Sequence, residues 1–200
     1  MVSALFEQIR DLGWIQWSAF ISGLAYIFYA TKDDVQCWPW GIVSSGLWAY
    51  ASFYQLKLYS DAWLQIIYIV LGAWGWHHWK YKLSKQEKPI SRLSLHQWVI
   101  YLTVGSALAL MIGYLMKKTN AAFPMIDAYL SVFSVAATIL LINKKIENWY
   151  CWIVIDLVNI PVFILRKGYL FSVLFLIYAL LAIKGLIDWN QKINQDKSSI

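Results

Sequence analysis

WPWGIVSSGLWAYASFYQLKLYSDAWLQIIYIVLGAWGWHHW, residues 38–79, is the stretch that decides the fold. Two apolar runs flank a short polar corner, and Ser44, Ser45, Gln65 and Tyr68 lie inside those runs. Hydrocarbon supplies no water to such groups, so each needs a protein partner or a cavity to line. A related pattern returns over residues 148–189. Two similar halves with polar midpoints point to a pathway across a membrane.

Composition supports a bilayer setting. Apolar residues make up 60% of the chain and charged residues 14%, against about 45–50% and 25% in soluble domains. The 13 Trp and 13 Tyr gather near the ends of apolar runs, where amphipathic rings favour the headgroup region. Glu7, Arg10 and Asp11 precede the first apolar run, which is not the pattern of a cleaved signal. The net charge of +6 sits in short inter-helix loops, so membrane topology explains it and nucleic acid does not. Cys37 and Cys151 fit no metal or redox spacing and read as unpaired.

Seven apolar segments of spanning length are expected, at 14–31, 38–55, 60–79, 96–116, 125–143, 149–166 and 169–189. Each approaches the ~20 residues that cross a bilayer core, and none alternates as a barrel strand would. The fold class is therefore all-α integral membrane, in a single transmembrane domain. Pro39 and Pro124 stand at span starts, where a missing N–H does little harm. Pro161 falls inside the sixth span, where it frees a carbonyl and predicts a kink.

Loop charges set the expected orientation. Arg10, Lys57, Lys117, Lys118, Arg166 and Lys167 lie on one side, six in all, and the other eleven Lys and Arg lie opposite. The excess marks the cytoplasmic side, leaving the N-terminus outside and the C-terminus inside. A multi-pass membrane protein follows.

Sliding the chain over itself by 110 positions matches Leu47 with Leu157, Phe53 with Phe163, Lys57 with Lys167, Tyr68 with Tyr178, Gly75 with Gly185 and Trp79 with Trp189. Residues 14–79 and 125–189 then form two parallel three-helix units, and 96–116 connects them in a 3+1+3 order. Facilitators of the SWEET type are built in this way.

The motifs WPWGI at 38–42, LYSDAWLQIIY at 58–68, GWHHW at 75–79, IENWYCWIVIDLVNI at 146–160 and YLFSVLFLIYALLAIKG at 169–185 resemble the PnuC family of vitamin transporters. The resemblance covers nearly the whole chain. It implies seven helices, a SWEET-like pseudo-twofold, often a homotrimer, and facilitated diffusion of a cationic vitamin or precursor. Family substrates are nicotinamide riboside, thiamine and, less securely, riboflavin, and phosphorylation inside the cell traps them.

The candidate substrate-binding residues are Gln65, Tyr68, Trp152, Asp156, Asn159, Tyr178, Trp48, Asn148 and Trp149. Asp156 and Asn159 share one helical face at i, i+3 spacing. A flat cationic ring could stack on Trp or Tyr for about 0.5–2 kcal/mol per contact, while Asp156 balances its charge and Gln65 and Asn159 hydrogen-bond its polar groups. Structural readings stand beside these. Asp156 could pair with Tyr or Ser between helices, Gln65 could join helices through its amide, and Tyr68 and Tyr178 could simply pack. Asp61 and Asp127 read as helix caps near outer ends. Gly41, Gly46, Gly72 and Gly75 read as sites of close packing or hinging.

Substrate choice turns on Asp156. The nicotinamide riboside branch of the family commonly carries Asn there, in a context such as INVIS, whereas this chain reads IDLVN. An aminopyrimidine suits a carboxylate, so thiamine is placed narrowly ahead of nicotinamide riboside. No cofactor or metal is expected. The rival classes are a seven-helix photoreceptor or sensor, a membrane enzyme and an ion channel. Lys184 is too near a helix end for a retinal linkage, no nucleophile–base pair or carboxylate pair appears in the spans, and the aromatic interior disfavours a wet pore.

Overall fold

The computed structural model describes residues 2–55, 59–83, 89–118 and 123–198. Lys57, Lys85 and Lys88 of the charge and repeat arguments lie outside them. Among the described residues there are eight α-helices, with one isolated parallel bridge between Ser91 and Lys145 in place of any sheet. They are α1 (Val2–Asp11), α2 (Trp14–Thr31), α3 (Cys37–Tyr50), α4 (Tyr59–His77), α5 (Leu95–Met116), α6 (Pro124–Ile142), α7 (Glu147–Leu165) and α8 (Tyr169–Ser198). Two π-helical turns, Ala51–Gln55 and His78–Leu83, extend α3 and α4.

The helix the sequence reading did not expect is α1. Ten residues are too few to span a bilayer, but its polar Gln8 does local work. The Gln8 amide donates to the Lys167 carbonyl at 2.7 Å and its oxygen accepts from the Leu170 backbone N–H at 3.0 Å. That caps the start of α8, where backbone donors lack helical partners.

Each expected span lies on one of the other helices. By length and composition, α5, α6, α7 and the 169–195 part of α8 are apolar enough to cross a membrane. The α3 segment owes part of its length to the π turn, and α2 and α4 dilute their apolar residues with Ser, Gln, Trp and Tyr. Pro124 opens α6 and Pro161 sits inside a continuous α7.

Packing follows two similar triplets. Helices α2, α3 and α4 pack in sequence, as do α6, α7 and α8; α2 also meets α8, and α4 meets α6. These last two contacts are reciprocal, each joining the first helix of one triplet to the last helix of the other. Helix α5 stands to one side. Its buried residues are Gly105, Ala109 and Gly113, four apart, a small-residue stripe that lets helices approach closely. The stripe abuts Phe133 and Met125 of α6. The rest of α5 presents exposed Val99, Leu102, Leu110 and Leu115, as a lipid-facing helix should.

Helix ends repeat between the triplets with more fidelity than side chains do. Asp33, Lys144 and Lys167 carry φ of 60°, 51° and 59°. After α2, Asp33 N–H donates to Ala30 and Asp34 N–H to Tyr29; after α6, Lys144 N–H donates to Leu141 and Lys145 N–H to Leu140. Both are Schellman closures, and they match at a spacing of 111 rather than 110. Trp38 against Gly75 is likewise repeated by Trp149 against Gly185. The register is thus 111 (149 − 38) through α3 and α7, and 110 (185 − 75) in α4 and α8. The second triplet is one residue shorter between these two points. This corrects the single 110 shift: Leu47 and Phe53 correspond to Val158 and Ile164, not to Leu157 and Phe163.

An added Cβ at Gly75 or Gly185 would stand 2.6 Å from the facing indole, whereas one at Gly46 meets nothing within 4 Å. Gly46 is therefore not a close-packing position. Gly185→Val is expected to lower the melting temperature in detergent, at a cost of about 1–3 kcal/mol. Gly46→Ala is expected to raise it through helix propensity, by at most about 1 kcal/mol.

Candidate functional site

The two triplets are fastened at the end that holds Asp33 and Lys144. The Trp79 indole N–H, at the end of the first triplet, donates to the Ile142 carbonyl at 2.9 Å; the Trp189 N–H donates to the Ala30 carbonyl at 3.1 Å. Each indole thereby donates to a carbonyl in the last turn of the opposite triplet's first helix; Ala30 also accepts from the Asp33 N–H of its own Schellman closure. Trp38 and Trp149 stand edge-on to Trp79 and Trp189, with centroids 5.4 and 5.5 Å apart and planes at 90° in both pairs. All four rings are buried. The indole N–H groups of Trp38 and Trp149 have no hydrogen-bond partner among the described residues.

Beside this aromatic block, Lys144 Nζ lies 2.9 Å from Asp33 Oδ2 and 4.8 Å from the centroid of the Trp79 ring. Asp33 and Lys144 are equivalent positions of the two triplets, so this ion pair bridges the repeat to itself. Burial pushes the Asp33 carboxyl above its ordinary range, and Lys144 pulls it back. Both residues adopt a backbone conformation that favours glycine. A glycine at either place would ease the turn and lose the pair.

The polar residues gather farther along the helices. Asp156 of α7 is 2% exposed and has no hydrogen bond or ion pair to any described residue. The hydroxyls of Tyr68, from α4, and Tyr178, from α8, are within electrostatic reach of it. Tyr68 also lies near Ser134 of α6 and within electrostatic reach of Asp61. Tyr26 of α2 is near both Tyr68 and Tyr178. The Tyr178 hydroxyl would lie 2.7 Å from a Cβ at Gly23, with Ser44 Oγ alongside at 3.1 Å. Ser44 in turn donates to the Ala19 carbonyl at 2.8 Å. The result is a cluster of hydroxyls around one carboxylate, drawn from both triplets.

The sequence-predicted residues divide among these places. Tyr68, Asp156 and Tyr178 belong to the hydroxyl–carboxylate cluster, and Gln65 lies on α4 three residues before Tyr68. Asn159 is buried on the same helix face, with its amide donating to the Ile155 carbonyl at 3.0 Å. Trp48 packs across the triplets onto Phe171, centroids 5.7 Å apart. Trp152 is partly buried between two apolar clusters. Trp149 belongs to the aromatic block. Asn148 is fully buried at the start of α7, where its amide donates to the Lys145 carbonyl at 2.7 Å; it shapes the helix entry and lies apart from the cluster.

Sequence reasoning missed Tyr26, Ser134, Ser52 and Asp61. The Ser52 hydroxyl donates to the Asp61 carboxylate, and Gln65 follows Asp61 by one turn of α4. Asp127 is likewise more than a cap, because Arg166 Nη2 donates to both of its carboxylate oxygens at 2.7 Å. The equivalent positions of the first triplet hold Gln16 and Gln55, whose amides bond each other at 2.6 Å. Cys37 and Cys151 are both buried and free.

A family model described as nicotinamide mononucleotide transporter matches residues 13–191. The chain belongs to this family. It is a multi-pass membrane protein, as its apolar helices require. Among curated relatives, the nicotinamide riboside transporter PnuC of Escherichia coli K12 is 25% identical, over 90% of this chain and 86% of that protein. The PnuC of Neisseria mucosa is 22% identical over 91% and 74%. The riboflavin/roseoflavin transporter RibM of Streptomyces davaonensis is 24% identical over 98% and 92%. The crystal structure of the vitamin B3 transporter PnuC has the same fold, with a TM-score of 0.74, 20% identity, and coverage of 97% of this chain and 90% of that one.

The Asp33–Lys144 pair supports a prediction. Asp33→Asn leaves a half-buried ammonium without its counter-charge and is expected to cost about 1–2 kcal/mol. The cost appears as a lower melting temperature in detergent. The exchange Asp33→Lys with Lys144→Asp is expected to restore most of it.

Proposed function

We propose that this protein carries a cationic water-soluble vitamin, nicotinamide riboside, into the cell by facilitated diffusion, with phosphorylation inside trapping the substrate. The observation that carries the reading is Asp156. A carboxylate that is 2% exposed and unpaired among the described residues costs several kcal/mol in a bilayer. Balancing a cation is the function that repays that cost. The tyrosines around it offer ring faces for a pyridinium, each worth about 0.5–2 kcal/mol, and the names of the PnuC relatives favour nicotinamide riboside.

Seven spans in two parallel three-helix units, 14–79 and 125–189, joined by 96–116, fit this reading. The reciprocal indole bonds support it, since two similar bodies can rock about a shared contact. The lysine-rich end is cytoplasmic by the positive-inside rule, which leaves the N-terminus outside a bacterial inner membrane. Neither Asp61 nor Asp156 faces a lysine or arginine among the described residues, which supports facilitated diffusion as the simpler reading.

Thiamine is the second reading, favoured by the carboxylate at 156 where the resembling branch carries an amide. None of the relatives named above carries thiamine in its name. Titrating the purified protein with each vitamin, followed by tryptophan fluorescence, separates the two; saturation by thiamine alone would overturn nicotinamide riboside. Asp156→Asn is expected to weaken binding of the preferred cation about tenfold or more, as loss of a charged contact of about 1.5–3 kcal/mol requires. Uptake into vesicles is expected to persist when proton and sodium gradients are collapsed, and its loss would contradict facilitated diffusion.

A further inference from the structure

Six helices close into a ring in the order α2, α3, α4, α6, α7, α8, because each packs on the next and α8 packs on α2. Helices two apart in such a ring meet through its interior. Trp48 of α3 and Phe171 of α8 do so, with centroids 5.7 Å apart, and Phe163 of α7 backs Phe171 at 5.3 Å. These rings lie toward the helix ends opposite Asp33 and Lys144, and Phe163 stands about two turns beyond Asp156 along α7. Together they plug one mouth of the ring. Trp79 and Trp189, 6.5 Å apart, close the other, where two indole N–H bonds tie the triplets to each other.

At the plugged mouth a tie comes from α1. Its Ala4, Leu5, Gln8 and Ile9 are half-buried, while Ser3, Phe6, Glu7 and Arg10 are exposed, the two-faced pattern of a helix laid on a surface. It packs on α8. Only Leu12 and Gly13 separate α1 from α2, so the chain fastens it to the first triplet. Gln8 fastens it to the second, by donating to the Lys167 carbonyl at 2.7 Å and accepting from the Leu170 N–H at 3.0 Å. That corner is itself a tight closure, with Lys167 N–H donating to Ile164 and Gly168 N–H to Phe163. Phe171 follows Leu170 directly, so Gln8 grips the piece of backbone that carries the plug. The family match begins at residue 13, and α1 lies outside it.

We propose that α1 is a strap that holds this mouth shut: Gln8 pins the α7–α8 corner, the corner holds Phe171 against Trp48, and Gln8 lets go when the ring opens at this end. The mouth faces outward in the orientation given above, so the inference rests on the vitamin-carrier reading and adds to it the contact that restrains entry from outside. Two neutral hydrogen bonds suit that task. They are weak enough to break and reform as the triplets rock, and strong enough to favour the closed mouth about tenfold.

Ser45 supplies the test. It precedes Trp48 by three residues on α3, so it shares that helical face one turn deeper than the plug. In the purified full-length protein, Ser45→Cys is expected to react slowly with a small cationic methanethiosulfonate. Adding Gln8→Met keeps the side-chain volume, removes both bonds and is expected to speed the reaction about tenfold. Should Gln8→Met fail to fold, Gln8→Ala is expected to give the same rise. Cys37 is buried in the aromatic block at the other end. Its reaction is expected to stay unchanged, which a general loosening of the fold would not allow. A folded Gln8 variant that reacts no faster than its parent overturns the strap. So does a rise shared equally by Cys37, or a Ser45→Cys protein that already reacts like a free thiol. Binding of nicotinamide riboside and thiamine to the same proteins without the added thiol separates the strap from the carrier reading. Binding with unchanged labelling removes the strap alone, whereas faster labelling in a protein whose wild type binds neither vitamin removes the carrier alone.

Discussion

Two indole N–H groups hold this structure in register. Trp79 and Trp189 each reach out of their own triplet to a carbonyl at the end of a helix in the other. The last carbonyls of a helix have fewer backbone partners than those inside it, and inside a bilayer protein no water makes up the deficit cheaply. Once these two bonds are made, the facing rings of Trp38 and Trp149 close edge-on against them, and only glycine at 75 and 185 leaves room for those rings. The Asp33–Lys144 pair then sits where the repeat meets itself. A contact built from one copy of each element resists sliding, because a shift that improves one half degrades its counterpart.

Farther along the helices the symmetry is broken, and there the chemistry concentrates. Asp156 has Ser45 as its equivalent in the first triplet, and Asn159 has Trp48. Ser52, Asp61 and Gln65 face an aromatic counterpart in Phe163, Phe171 and Phe175. A flat cation with polar substituents is not symmetric either. A site that offers hydrogen bonds from one triplet and ring faces with a carboxylate from the other can hold such a molecule in one orientation.

Much of this was legible in the chain. Alternation of long apolar runs with lysine-bearing corners gave the helices, because bilayer thickness fixes how long such runs must be. Asp156 and Gln65 stood out as polar residues in apolar surroundings. Less legible were residues whose polarity is ordinary near a helix end. Asp61 resembled a cap, and only the approach of the α3 extension shows its carboxylate accepting from Ser52. Tyr26 and Ser134 look like any tyrosine or serine until the triplets assemble. The repeat was visible, but its register change from 111 to 110 was not, since Leu and Ile recur too often in such a chain to fix a one-residue step.

Hydropathy and local spacing along the chain were enough to mark the seven long apolar runs and the two related halves, though not the short α1. Which side chains share a space emerged from the packed helices. Trp79 and Ile142, Asp33 and Lys144, and Tyr68 and Asp156 are each separated by more than sixty residues in sequence. Their meeting depends on how whole helices pack, a matter of shape and of which buried polar group finds which partner, and no local pattern records it.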